Sequence, residues 1–143
     1  MKLIILFTSI FLLACTAKED QLVSAESTSV SIIGKWSPTY LTQARNADGT
    51  WGAWQRINTF VALPVYEFTS DGRFLTDGKP GANCCFAGNK YAVAGNTVSF
   101  SEVLICPNAL CLACPSGWTI IDIKSDTLVL EECSTRNKYL KVK

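Results

Sequence analysis

From residue 31 onwards, short apolar segments alternate with segments rich in glycine, aspartate and asparagine. Within the apolar segments, large side chains recur at every second position, which is the period of a strand with one buried face. Tyr66 and Phe68 share a face in this way, and residues 97–101 alternate polar and apolar side chains throughout. None of these segments sustains the 3.6-residue period of an amphipathic helix. We therefore predict an all-β domain.

Tight turns connect most of the predicted strands. The clearest turn sequences are Ser70-Asp71-Gly72, Gly95-Asn96 and Lys124-Ser125-Asp126. Aspartate, asparagine and glycine favour hairpins because they tolerate the backbone angles that a tight turn requires. Consecutive hairpins form an antiparallel up-and-down meander, and a meander of about eight strands hides its edges most simply by closing into a barrel. The expected fold is an antiparallel eight-stranded β-barrel.

The hairpin around Gly95-Asn96 also predicts which residues face each other. If these two residues form the turn, the numbers of facing residues add up to 191. Cys85 then lies opposite Cys106. A slip of one residue would place Cys84 there instead.

The first predicted strand covers residues 32–41 and contains Pro38. Because proline has no amide hydrogen to donate, Pro38 predicts either an edge position or a bulge. The segment 45–55 that follows holds glycine, asparagine and aspartate around Trp51 and Trp54, which predicts a long loop. We expect these two tryptophans either to cover the mouth of the barrel or to bind a partner.

The N-terminal segment follows a different pattern. Lys2 precedes a nearly unbroken apolar run of about eleven residues, Leu3–Leu13, and the small residue Ala14 follows it. This run is shorter than the roughly 20 residues that a membrane-spanning helix needs, and its layout is typical of a secretory signal. Residues 1–14 are therefore predicted to be a signal peptide.

The end of this signal, Leu12-Leu13-Ala14-Cys15, resembles the lipobox of bacterial lipoproteins. The resemblance implies that Cys15 carries a diacylglyceryl group and is the first residue of the mature protein, usually acylated on its amino group. Two or three acyl chains hold a protein on a membrane for long periods. The expected location is the bacterial cell envelope, and Thr16, in place of a retaining aspartate, favours the outer membrane. The alternative is an ordinary signal peptide in which Cys15 is incidental.

The rest of the chain is predicted to be a tether and one domain. Residues 15–30 are small and polar, which favours a flexible tether, and residues 31–143 suffice for a single domain. Without residues 1–14 the chain has 12 basic and 12 acidic residues, because the signal contains one lysine and no acid. A neutral chain without a basic cluster offers no basis for nucleic-acid binding.

Several segments together carry a resemblance to a known family. They are Gly34-Lys35-Trp36, Tyr66–Phe74, Tyr91–Phe100, Trp118–Leu130 and Tyr139. Their order and spacing resemble those of the bacterial lipocalin-like lipoprotein domains over about residues 30–143. The resemblance implies an eight-stranded barrel, a structural plug at Trp36 and, in classical members, an interior cup for a small apolar molecule.

The chain departs from classical lipocalins in two respects. It ends in a predicted strand rather than in a helix that packs on the barrel. In classical members a basic residue late in the chain covers the tryptophan of the Gly-x-Trp strand, and here Arg136 and Lys138 are the two options.

The candidate ligand-binding residues are Tyr66, Phe74, Tyr91 and Trp118, whose rings would line the cup and whose polar tips would orient a ligand. The alternative is that they fill a solid core together with the other alternating large residues. These are Phe68, Val93, Val98, Phe100, Ile120, Leu128 and Leu130. The two alternatives predict a hollow and a packed barrel, respectively.

With Cys15 acylated, six of the seven cysteines remain for pairing: Cys84, Cys85, Cys106, Cys111, Cys114 and Cys133. An even number in an oxidising compartment predicts three disulfides, whose connectivity stays open. Cys111 and Cys114 also have the spacing of a redox motif, although no predicted helix follows them. A four-thiolate zinc site made of Cys106, Cys111, Cys114 and Cys133 is a further alternative.

Catalytic residues are not evident. The absence of histidine excludes nucleophilic triads that need one and removes the commonest transition-metal ligand. Glu131 and Glu132 are neighbours on a predicted strand and point to opposite faces, so they make a poor acid–base pair. We predict no enzymatic activity, no cofactor and no metal. The expected function is binding of a small apolar ligand in the envelope, and the alternative is an interaction or inhibitor module for an envelope protein.

Overall fold

The computed structural model describes residues 31–107 and 117–143, and these residues form ten strands and no helix. The strands are β1 (Gly34–Ala44), β2 (Gln55–Arg56), β3 (Tyr66–Phe68), β4 (Phe74–Thr76), β5 (Lys79–Pro80), β6 (Gly88–Ala94), β7 (Thr97–Val103), β8 (Trp118–Ile123), β9 (Thr127–Glu132) and β10 (Thr135–Lys141). The predicted signal peptide, Cys15, the predicted tether, Cys111 and Cys114 lie outside the described residues.

All strand pairs are antiparallel and form one sheet in the order β5-β4-β3-β1-β10-β9-β8-β7-β6, with β2 paired to β1. The sheet curls until β6 meets β4, where Arg73 and Lys90 form an isolated bridge. The amide of Tyr91 donates a hydrogen bond of 2.9 Å to the carbonyl of Gly72 at the same junction. The all-β antiparallel prediction is confirmed, and the molecule is a nearly closed barrel.

The predicted count of eight strands is wrong for the described residues, because ten are present. Two of the ten, β2 and β5, are two residues long. The long loop after β1 folds back so that Gln55 and Arg56 pair with Thr42 and Leu41. Lys79 and Pro80 fold back onto β4 in the same manner. Such short pairings have no two-residue period, so alternation could not reveal them.

Aromatic side chains fill the interior of the barrel. Trp36, Phe68, Phe74, Val98, Trp118, Leu128 and Leu130 are all at most 1% exposed. The ring of Phe74 lies between 5.1 and 5.5 Å, centroid to centroid, from the rings of Tyr66, Phe68, Phe100 and Trp118. Edge-to-face packing of this kind stabilises an aromatic core. The interior around Phe74 is therefore packed. Val93, expected inside, is 43% exposed.

The bulge predicted at Pro38 is present in β1. The register of β1 against β10 shifts between Pro38 and Thr42. Within the bulge, Tyr40 has a φ of 62°, a left-handed conformation that is uncommon for residues other than glycine. The edge alternative is wrong, since β1 lies between β3 and β10.

Trp36 is fully buried in the barrel. Its indole nitrogen donates a hydrogen bond of 2.6 Å to the carbonyl of Ile32. The ammonium group of Lys141 lies 5.2 Å from the centre of the Trp36 ring system, within cation–π range. Lys141, rather than Arg136 or Lys138, therefore covers Trp36. Arg136 instead lies over the ring of Trp51 at 4.0 Å.

Candidate functional site

The structure packs three of the four predicted ligand-binding residues, Tyr66, Phe74 and Trp118, against one another and leaves Tyr91 outside this group. Tyr66 stacks on Trp118 with ring centroids 5.2 Å apart and contacts Phe74 edge to face at 5.3 Å. Phe74 and Trp118 are each 1% exposed, so these two side chains belong to the packed core. Tyr91 contacts Phe68 edge to face at 5.0 Å. The four residues therefore do not line a common interior cup.

A groove of about 800 Å³ lies at the end of the barrel where β1 begins, and we call it the end groove. Apolar side chains make up most of its wall: Ile32, Ile33, Tyr91, Val93, Ile120, Ile121 and Ile123. The turns at Gly72 and at Gly95 and Asn96 form its rim. Small-molecule pockets in proteins measure about 300–1,000 Å³ and are mostly apolar with a few polar groups, and the end groove matches this description.

The end groove is close to electrically neutral. Asp122 is its only carboxylate or ammonium group among the described lining residues, and Lys124 neutralises it at 3.3 Å. The hydroxyl of Tyr91 donates a hydrogen bond of 2.8 Å to the carbonyl of Thr69. Burial and, secondarily, the charge of Asp71 raise the pKa of Tyr91. An uncharged apolar molecule suits these walls best.

A second pocket of about 180 Å³ lies among β1, β3, β10 and the loop 57–65, and we call it the tyrosine pocket. Three tyrosines line it, Tyr40 from the β1 bulge, Tyr66 from β3 and Tyr139 from β10. The rest of its lining is Pro38, Leu41, Ile57, Leu63, Pro64, Glu132, Asn137 and Lys138. The loop is held over the pocket by Tyr40, whose carbonyl accepts a 2.9 Å bond from the amide of Ile57.

Glu132 supplies the acidic group of the tyrosine pocket. It lies two residues beyond Leu130 in β9 and accepts a short hydrogen bond from the hydroxyl of Tyr139. Burial raises the pKa of Glu132, and hydrogen bonding to Tyr139 and Asn137 partly opposes this shift. No lysine or arginine of the described residues forms an ion pair with it. Glu132 also borders a cavity of about 270 Å³ next to Phe86.

The remaining described glutamates have different surroundings. Glu131 points to the other face of β9 and forms an ion pair with Arg136 at 3.1 Å, which confirms that the two neighbouring glutamates diverge. Glu67 and Glu102 form ion pairs with Lys35 and Lys90.

Two tyrosines of this pocket, Tyr66 and Tyr139, are held in their neutral form. Burial, followed by the charge of Glu132, raises the pKa of Tyr66, and the same two causes raise the pKa of Tyr139. The rings of Tyr66 and Tyr139 are 5.4 Å apart and inclined by 34°. The pocket thus combines aromatic side chains with one carboxylate.

Apolar side chains on loop 57–65 are fully exposed at its tip. Phe60 is fully exposed, and Val61 is 77% exposed. Of the two loop tryptophans, Trp54 is 41% exposed, whereas Trp51 packs under Arg136. Trp51 therefore serves the local structure of its loop, and Trp54 remains available at the surface.

The six predicted disulfide cysteines are only partly described. Cys84 and Cys106 form a disulfide with Cα atoms 5.4 Å apart, and Cys85 and Cys133 are also disulfide-bonded. A disulfide sulfur cannot act as a thiolate ligand, so the zinc alternative is wrong for Cys106 and Cys133. In the described part of the chain, no group of three or more potential ligands converges on a metal position.

The preferred pairing of Cys85 with Cys106 is wrong, although the predicted hairpin register is right. Tyr91 pairs with Phe100 and Gly88 with Val103, so the numbers of facing residues add up to 191 as far as the end of the ladder. Before Gly88 the chain is no longer extended, because the Asn83 side chain accepts hydrogen bonds from the three amides of residues 85–87. This turn presents Cys84 rather than Cys85 to Cys106.

The pairing of Glu132 with Tyr139 was not predicted. The available signal was the alternation Leu128, Leu130, Glu132, which places Glu132 on the inward face if β9 is extended by one residue beyond Glu131. Tyr40 gave no signal, since its position depends on the irregular bulge.

None of the residues between 31 and 107 or between 117 and 143 belongs to a helix that could span a lipid bilayer. Comparison of the chain with protein-family models, with curated proteins and with solved structures gave no match.

Proposed function

We propose that this chain is a lipid-anchored lipoprotein of the bacterial envelope whose lipocalin-like barrel binds a small, uncharged, apolar molecule in the end groove. The observation that carries the binding function is the size and lining of this groove, about 800 Å³ with mostly apolar walls. The lipobox-like sequence at Cys15 supports the anchor, and the Gly-x-Trp strand supports the family.

The ligand site of this proposal is at the end of the barrel rather than inside it. The packed rings of Phe74 and Trp118 leave no cup in that part of the interior. In the end groove, Ile33, Val93 and Ile121 are each about 40% exposed. Covering such side chains with an apolar ligand would contribute about 25 cal/mol for each Å² removed from water.

The test is binding of the neutral fluorescent probe N-phenyl-1-naphthylamine to the full-length protein in a nonionic detergent. Ile121→Asp, which places a charge in the groove, is expected to weaken probe binding at least tenfold. Leu140→Asp is the matched control, because Leu140 is 48% exposed on β10 and does not line the groove. Equal probe affinity for the two variants, or no saturable binding by the parent, contradicts the proposal.

Native mass spectrometry of protein isolated from its own membranes provides a test without an added probe. The proposal expects a co-purified small molecule that is lost in Ile121→Asp and retained in Leu140→Asp. A parent protein that carries no small molecule counts against it.

A second candidate function is an interaction module that acts through loop 57–65. The exposed Phe60 and Val61 favour it, since adjacent large apolar side chains at a loop tip are typical of contact sites. A photo-crosslinking residue at position 60 should then capture one envelope protein. The capture should fail after Val61→Ser and persist after Trp51→Ala, because Trp51 is occupied by Arg136.

A further inference from the structure

We propose that the tyrosine pocket binds a small organic ammonium ion, with Glu132 as its counter-ion and the rings of Tyr40, Tyr66 and Tyr139 as its aromatic wall. This site is separate from the end groove, and the two pockets share no lining residue. The inference is therefore independent of the ligand proposed for the groove.

The first argument is the chemistry of the lining. Organic cations are bound in proteins by the faces of aromatic rings, often with a carboxylate nearby, because the ring quadrupole attracts positive charge. The tyrosine pocket brings three tyrosine side chains and one carboxylate together from β1, β3, β9 and β10. Its other walls are apolar at Leu41, Ile57 and Leu63, which suits the alkyl groups of an alkylammonium ion better than a hydrated metal ion.

The second argument is the unmatched charge of Glu132. In the described chain, five side-chain carboxylates form ion pairs with lysine or arginine. Of the four that do not, Asp48, Asp77 and Asp126 are exposed, whereas Glu132 is half-buried. A carboxylate in a partly buried site costs free energy unless it is paired or protonated. Tyr139 supplies one hydrogen bond but no positive charge. A bound ammonium ion would supply the missing charge.

The position of Lys138 does not remove this need. Lys138 lines the same pocket, yet its ammonium group is not within ion-pair distance of Glu132. In the β10 ladder Lys138 pairs with Val129, and the next residue, the inward-facing Tyr139, pairs with Leu128. Successive residues of a strand point to opposite faces, so Lys138 is not on the face of Tyr139.

The third argument is the backbone of Tyr40. Its φ of 62° is energetically unfavourable for tyrosine, and such conformations concentrate at ligand sites. The bulge that imposes it turns the Tyr40 side chain toward the loop, where the hydroxyl accepts a 3.4 Å bond from the amide of Leu63. The strained residue thus forms part of the pocket wall.

The size of the pocket limits the ligand. A volume of about 180 Å³ equals that of about six water molecules at about 30 Å³ each. A compact ion with about six or seven non-hydrogen atoms fits this space, and choline is a suitable probe. Its neutral carbon analogue, 3,3-dimethyl-1-butanol, has the same shape without the charge.

The experiment is titration of the full-length protein, in a maltoside detergent, with these two probes by isothermal calorimetry. We expect choline to bind at least tenfold more tightly than the neutral analogue. E132Q should weaken choline binding at least tenfold, because the amide keeps the size of the side chain and removes its charge. The matched control is E131Q, whose carboxylate points to the outer face and pairs with Arg136, and it should change choline affinity less than twofold.

Two additional readouts separate a ligand contact from a structural role. Y40A should weaken choline binding while leaving probe binding in the end groove unchanged. Choline binding to the parent should release protons at weakly acidic pH, measured as a buffer-dependent enthalpy, and E132Q should release none. Equal affinity for choline and its neutral analogue, unchanged choline affinity in E132Q, or no choline binding at millimolar concentration would overturn the proposal.

Discussion

The hydroxyl of Tyr139 donates a hydrogen bond to the carboxylate of Glu132 in the tyrosine pocket. Tyr139 is 4% exposed and packs on Tyr66, so this carboxylate lies next to the aromatic core rather than on the outer surface. The arrangement places the charge-bearing end of β9 within the same pocket as the bulged residue Tyr40. Glu132 is therefore the acidic group whose titration we expect to change the free energy of unfolding most unusually with pH.

Unfolding free energy should fall as pH rises from below 4.5, the ordinary value for glutamate, to above the raised pKa of Glu132 in the folded state. The sign follows because the folded protein then binds more protons than the unfolded chain. E132Q should remove this fall and should be more stable than the parent at the upper end of the range. Urea unfolding at a series of pH values measures the difference.

The comparison of E132Q with the parent isolates Glu132 from other groups. The other titratable side chains that line its pocket are Tyr40, Tyr66, Tyr139 and Lys138. Burial and the charge of Glu132 raise the pKa of Tyr66 and that of Tyr139, so these two groups stay neutral across the acidic range. E131Q serves as the control and should keep the pH dependence of the parent. If the unfolding free energy of E132Q falls with pH as steeply as that of the parent, a raised pKa for Glu132 is excluded.

Trp36→Phe should destabilise the barrel more than Trp118→Phe. Both indoles are buried, but Trp36 donates a hydrogen bond to Ile32, whereas the Trp118 nitrogen has no acceptor among the described residues. Loss of the Trp36 donor leaves a buried carbonyl unpaired, which costs about 1–3 kcal/mol. Thermal or urea unfolding of the two variants tests this order, and a larger loss in Trp118→Phe would contradict it.

Peptide mapping without reduction should recover a link between Cys84 and Cys106 and none between Cys85 and Cys106. The bond closes a loop with a sequence separation of 22 residues, so replacing both Cys84 and Cys106 with serine should cost about 3 kcal/mol. The hairpin β6–β7 should keep its register, because its turn and ladder do not depend on the disulfide. Recovery of a Cys85–Cys106 link would show that the loop before Gly88 has a different path.

Cys15→Ser tests the anchor separately from the barrel. The parent should be labelled by palmitate and sediment with membranes, since two or three acyl chains give stable attachment. Cys15→Ser should lose the label and should not be processed as a lipoprotein. Its N-phenyl-1-naphthylamine affinity should equal that of the parent, because the lining of the end groove in the described residues comes from the barrel, Ser31 onwards. Equal palmitate labelling of Cys15→Ser and the parent would contradict acylation at this position.

Local sequence was sufficient for the regular parts of the fold. The turn at Gly95 and Asn96 determined the ladder of β6 and β7 because a two-residue hairpin allows only one pairing. Pro38 indicated the bulge, since a residue without an amide hydrogen cannot continue a regular ladder.

The candidate sites depend on contacts between distant segments. Which basic residue covers Trp36 depends on the register of β10 against β1. This register shifts at the bulge, so counting from a turn could not identify Lys141. The same bulge brings Tyr40 to Glu132, although the two residues are far apart in the chain.

By itself, the sequence determined the all-β class, the hairpin register and the number of cysteines left once Cys15 is set aside, because these follow from short-range periodicity, turn chemistry and counting. Only the tertiary structure decided that Phe74 and Trp118 fill the core, that Cys84 reaches Cys106, and that an end groove and a tyrosine pocket form. Side-chain volume and the path of irregular loops decide these outcomes, and both depend on packing across the whole barrel.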